Sequence, residues 1–171
     1  MLAVVGADGA GKTTYCNTLG KTVIHAIPKT RWKAFGSGYL REILMGFEKT
    51  WVFLKIRFMR DKERIVLDRC YIDALVYSLF WARRYHRMGL FRVAKFFNIL
   101  APQPDIIYQL EPDPTLARPK RAYTPKDIDE LNKLYVSILF TEGYQQIDYT
   151  DYDFGLIRIW TLRKDENGKG I

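Results

Sequence analysis

With 171 residues, 48% of them hydrophobic and 27% charged, the chain has the make-up of one soluble globular domain with enough apolar material for a core. No stretch has the roughly twenty apolar residues of a bilayer-spanning helix, and the opening residues are too few for a signal-peptide core, so a cytoplasmic protein with no membrane contact is expected. The two cysteines, Cys16 and Cys70, lack metal-ligand spacing and read as reduced buried thiols, while a net charge of +8 favours anionic partners.

The apolar run Leu2 to Val5 predicts a buried parallel strand, and Thr13 onward predicts the first turn of a helix. Between them lies Gly6-Ala7-Asp8-Gly9-Ala10-Gly11-Lys12-Thr13-Thr14, whose Gly-x-x-x-x-Gly-Lys-Thr spacing is that of a P-loop. Glycines clear side chains so that successive backbone N–H groups can face a phosphate chain, and the helix N-terminus adds positive field. All nine of these residues are nucleotide-binding candidates. Lys12 would reach the outer phosphates and the Thr13 hydroxyl would ligate Mg²⁺.

Helix one is expected over 12–19, with Gly20 ending it, and strand two over 22–26. Residues 28–38 read as loop, punctuated by Pro28, Gly36 and Gly38. Leu40, Ile43, Leu44, Phe47, Trp51, Leu54 and Phe58 keep a helical period over 39–60, as one helix or two broken near Thr50. Strand three covers 64–68, and helices follow over 72–88 and 91–100, separated at Gly89. Strand four covers 105–110, and Pro112-Asp113-Pro114 should open a short helical piece. Thr124-Pro125 supplies a cap and a first-turn proline for a helix to Thr141. Strand five is expected over 145–149 and a last helix over 153–164. Alternating strands and helices imply a three-layer α/β/α sandwich: a five-stranded parallel sheet in one domain, 1–171, with a short lid around 115–124.

A P-loop puts its site at the carboxyl ends of the strands. There strand three delivers Asp68, able to hold Mg²⁺ directly or through water, and Arg69, whose guanidinium can fork onto a second phosphate group. No Asn-Lys-x-Asp base-reading motif follows strand four, and neither Asp-x-x-Gly nor Asp-Glu follows strand three. Transfer to a small acceptor therefore fits better than timed or motor-type hydrolysis.

These stretches resemble thymidylate kinases and the wider thymidylate-kinase-like group of P-loop kinases. The resemblance rests on the loop with its acidic Asp8, on Thr30-Arg31 and Leu40-Arg41-Glu42-Ile43-Leu44, on Asp68-Arg69 with Asp73 and Tyr77 beyond, and on Pro104 to Leu110 leading to Pro114 and Ala117-Arg118. It implies ATP and Mg²⁺ on the loop and Asp8 against the acceptor's sugar. It also implies Asp68, Arg69, Arg31 and Arg41 around the acceptor nucleotide. Glycine at position 9 implies that the catalytic cation comes from the lid, where Arg118, Lys120 and Arg121 stand. The sequence departs from the family in having Cys70 after Asp-Arg and in its short lid.

The leading expectation is ATP-dependent transfer to a nucleoside monophosphate, dTMP to dTDP first, with Lys12, Asp8, Arg118 and Arg121 as the catalytic set. A nucleoside or another small hydroxyl compound is the alternative acceptor. A nucleotide-gated nucleic-acid module, using the basic residues from Lys55 to Lys95, ranks third. Small-molecule nucleotides are thus the expected partners, with a homodimer left open.

Overall fold

A computed structural model describes residues 1–27, 39–113, 123–153 and 155–163. Its framework is a six-stranded sheet in the order β2-β3-β1-β4-β6-β5. The strands are β1 (Leu2–Gly6), β2 (Thr22–His25), β3 (Ile65–Asp68), β4 (Ile106–Pro112), β5 (Tyr144–Tyr152) and β6 (Gly155–Leu162). The helices are α1 (Lys12–Thr18), α2 (Tyr39–Arg57), α3 (Tyr71–Arg84), α4 (Met88–Phe97) and α5 (Pro125–Thr141). Among the described residues no helix is long and apolar enough to cross a membrane.

Every residue of β1 and β3 is buried, the reason for their unbroken apolar runs. β1 lies between β3 and β4, parallel to both, with Leu2 level with Val66 on one side and Ile106 on the other. The pleat sends Ala3, Val5, Leu67 and Ile107 to one face, where residues of α2, α3 and α5 cover them. Leu2, Val4 and Val66 point to the other face, under Cys16, Tyr15 and Leu19 of the α1 segment. Both cysteines are buried and free. Adjacent β1 and β3 thus lead into helices on opposite faces, which opens a crevice at their carboxyl ends.

The parallel five-stranded expectation is corrected to a mixed six-stranded sheet. Residues expected as a last helix form β6, which runs antiparallel to β4 and to the edge strand β5. The reason lies in the two buried residues, Ile157 and Trp160. They sit three apart, which reads as a helical stripe, yet they pack on opposite faces of the sheet. Gly155 starts β6 at φ 152°, with room for a Cβ denied by the Glu111 carbonyl oxygen 2.2 Å away. Only glycine lets the hairpin close that tightly against β4.

Other differences are smaller. α2 is continuous through Thr50, whose hydroxyl bonds back to the Gly46 carbonyl at 2.9 Å. α3 stops at Arg84 and a turn with His86 at φ 53° separates it from α4, so Gly89 falls inside α4 rather than between helices. Pro112 ends β4, and the short helical piece expected from Pro114 and residues 115–122 of the expected lid lie outside the described set. Thr124 and Asp127 form a reciprocal capping box with Pro125 in the first turn of α5, as the sequence indicates.

Candidate functional site

The glycine-rich turn leaves β1 at Gly6, whose φ of 144° and distance of 2.2 Å between an added Cβ and the Leu110 carbonyl oxygen exclude any side chain. The turn ends at Gly11, in the left-handed region at φ 78°, and Lys12 opens α1. Lys12 is 5% exposed. Its ammonium donates to the carbonyls of Gly6 at 2.6 Å and Ala7 at 2.7 Å, and stands 3.9 Å from the Asp8 carboxylate. Burial, with the Arg69 guanidinium adding to it, brings the Lys12 pKa down to about 8.

Next along α1, the Thr13 hydroxyl donates to Asp68 Oδ2 at 2.6 Å. That oxygen also lies 2.9 Å from Nδ1 of His25, the last residue of β2. Asp68 Oδ1 is buried with no hydrogen-bond partner. The expected magnesium pair, Thr13 and Asp68, is therefore brought together with one carboxylate oxygen to spare. Among the described residues no group of three acidic, histidine or cysteine side chains could hold a metal by itself.

On the opposite side of the turn, Arg69 has φ 74°, a conformation that strains a non-glycine residue, and its N–H donates to the Val4 carbonyl at 3.0 Å. This turns its guanidinium to the glycine-rich loop, where it pairs with Asp8 Oδ1 at 2.5 Å. Burial works against the Arg69 charge, but the carboxylates of Asp73 and Asp8 outweigh it and raise its pKa. The Asp8 N–H donates to the Tyr77 hydroxyl at 2.8 Å.

Beneath these groups sits a buried support. Asp73 Oδ2 accepts the Cys70 N–H at 3.0 Å, while the Tyr135 hydroxyl lies 2.7 Å from Asp73 Oδ1 and 2.9 Å from the Gly6 carbonyl. One hydroxyl hydrogen cannot serve both acceptors. Burial pushes the Asp73 pKa up, against the pull of the Lys12 and Arg69 charges nearby.

Of the expected residues, Gly6, Ala7, Asp8, Gly9, Ala10, Gly11, Lys12 and Thr13 form the turn and helix start, and Asp68 and Arg69 converge on it. Thr14 is on the exposed side of α1. Arg31, Arg118, Lys120 and Arg121 lie outside the described residues, as does the side chain of Arg41, whose backbone belongs to α2. His25 and Tyr135 were not anticipated. His25 ends a strand at the same sheet edge as Asp68 and could have been found by that rule; Tyr135 is 129 residues from Gly6 in a helix and carried no such signal.

The arrangement offers a buried cation at a glycine turn, a hydroxyl–carboxylate pair and a paired arginine, a set suited to an anion and a hard divalent cation. No protein-family model matches the chain, and comparison with characterised proteins finds no match either.

Proposed function

We propose that this protein is a P-loop kinase that moves the terminal phosphoryl group of ATP to a nucleoside monophosphate, with dTMP the first acceptor to try. The observation that carries the reading is Lys12: a buried ammonium held against the Gly6 and Ala7 carbonyls, beside the Thr13–Asp68 pair. The two carbonyls and the Asp8 carboxylate repay only part of the cost of burying that charge, as its lowered pKa shows. A triphosphate supplies the rest, because its outer oxygens can replace those carbonyls as partners.

In this reading Thr13 and Asp68 hold Mg²⁺, the unpartnered Asp68 Oδ1 fitting a cation or one of its waters. An ion held there would offset the negative charge of the phosphate chain. Arg69 holds the acceptor phosphate and Asp8 its sugar, with Arg31 and Arg41 joining from the acceptor side. An acceptor phosphate oxygen attacks the γ-phosphorus, the bond to the β–γ bridging oxygen breaks, and ADP leaves. Arg118 or Arg121 of the lid segment supplies charge to the phosphoryl group in flight. Catalysis is positioning and charge neutralisation, without a covalent enzyme intermediate.

The test is ADP release over a panel of nucleoside monophosphates, with Lys12→Ala alongside. Loss of at least 10³-fold in turnover is expected for the variant, and unchanged turnover removes the mechanism. A second reading is favoured by one contact: Asp8 already neutralises Arg69 at 2.5 Å, which lessens the need for an acceptor phosphate. A nucleoside would then be phosphorylated while the monophosphate panel stays silent.

A further inference from the structure

We infer that His25 is a positioning residue for the divalent cation: its imidazole holds the Asp68 carboxylate in the orientation that ion binding at Thr13 and Asp68 requires. The role rests on the reading of those two residues as the ion's site. It adds a side chain from a separate strand, one that the glycine-rich turn does not contain.

The sheet puts the two groups together. β2 and β3 are parallel, with Val23 level with Val66 and His25 level with Asp68. Residues level with each other on neighbouring strands share a face and stand about 4.8 Å apart. Val23 and Val66 pack on the side covered by α1, so the strand period of two sends His25 and Asp68 there as well. Thr13 meets the same carboxylate from the first turn of α1. Asp68 is thus gripped between the end of an edge strand and the start of a helix.

Both contacts fall on one oxygen. Asp68 Oδ2 accepts from the Thr13 hydroxyl at 2.6 Å and lies 2.9 Å from His25 Nδ1, whereas Oδ1 has no hydrogen-bond partner among the described residues. A carboxylate that holds a cation can only accept, so the hydrogen between ring and carboxylate belongs to Nδ1. Two donors converging on Oδ2 fix the rotation of the carboxylate, and that rotation sets where its negative charge lies. With Thr13 alone, a single contact would leave the group free to swing about its last bond. The His25 side chain is 49% exposed, so the ring adds little to the core and its contact with the buried Asp68 is what it contributes.

The test is ATP affinity of the intact protein, measured calorimetrically with Mg²⁺ and again in excess EDTA. Wild type should bind ATP about tenfold or more tightly with the ion, and His25→Ala should lose about tenfold of the affinity measured with Mg²⁺. Without the ion the same variant should match wild type to within about twofold, since only the oriented carboxylate has changed. His25→Asn should restore most of the loss, because its side-chain nitrogen is attached to Cγ as Nδ1 is. His25→Gln, whose nitrogen lies one carbon further out, should not. Equal weakening with and without Mg²⁺ would make the contact structural only and overturns the inference. So does an alanine variant that matches wild type with Mg²⁺, or an asparagine variant no better than alanine, which would make the ring a ligand of the ion instead. Wild-type ATP affinity that Mg²⁺ leaves unchanged overturns the ion site along with it, and absence of ATP binding removes the kinase reading as well.

Discussion

Lys12 shows how one residue ties the stability of this fold to its chemistry. Its folded pKa of about 8 lies below the ordinary 10.5, so between those values the unfolded chain holds more protons than the folded one. The Lys12 contribution to stability should therefore rise with pH across that window, the cost of the buried charge being full below it, while the buried Cys16 and Cys70 thiols, held protonated by raised pKa values, act in the opposite direction at its upper end. The whole rise is about 3 kcal/mol by the usual conversion of a pKa difference. In urea unfolding between pH 7.5 and 10.5, wild type should gain stability relative to Lys12→Met as pH rises. A parallel slope in both proteins would assign it to another group. Tyr135 is the other residue whose role reaches beyond its neighbours, since it joins α5 to the Gly6 carbonyl and to Asp73. Tyr135→Phe keeps the ring and removes the hydroxyl, leaving buried acceptors short of a donor. A loss of about 1–3 kcal/mol is expected in denaturant unfolding and, on the proposed kinase reading, weaker ATP binding as well, because the turn is held from below by that bond.

Among the elements, the β5–β6 hairpin is where local pattern and final structure part company. β6 is wedged between β4 and β5, and its Trp160 reaches the main core while donating its indole N–H to Gln109 at 3.0 Å. β5, at the edge, is mostly exposed, so its own side chains contribute little to holding the hairpin in place. The closure instead depends on Gly155 fitting beneath the Glu111 carbonyl. Gly155→Ala should cost about 2 kcal/mol or more through combined strain and backbone clash. Hydrogen exchange should show faster opening in β5 and β6 than in β1 and β3; uniform loss of protection would mean that the hairpin and the parallel strands open as one unit.

For the molecule as a whole, a charge of +8 invites a nucleic-acid reading, but several of the basic residues have local partners or stacking surfaces. Arg84 pairs with Asp127 at 2.8 Å and lies over the rings of Phe80 and Trp81, while Lys55 lies over Trp51. Fluorescence anisotropy with a 20-base-pair duplex at about 150 mM salt should show binding no tighter than the micromolar to 100 micromolar range of non-specific association. A tighter complex with a steep salt dependence would revive the nucleic-acid reading. On the proposed kinase reading the same charge would assist capture of nucleotide anions, and their on-rate should fall as salt rises.

The sequence by itself determined the parallel half of the sheet and the central members of the candidate site. Continuous apolar runs at β1, β3 and β4 and glycine spacing at the turn are local signals, written within about a dozen residues of where they act. Lys12, Thr13, Asp68 and Arg69 were legible because each sits at or just beyond the carboxyl end of such a strand. Tertiary structure alone decided the antiparallel half, because Ile157 and Trp160 belong to two faces that exist only once β4 is beside β6. It alone joined Tyr135 to Gly6. Hydrogen bonds and cavities depend on which distant segments meet, and neither periodicity nor spacing along the chain encodes that meeting.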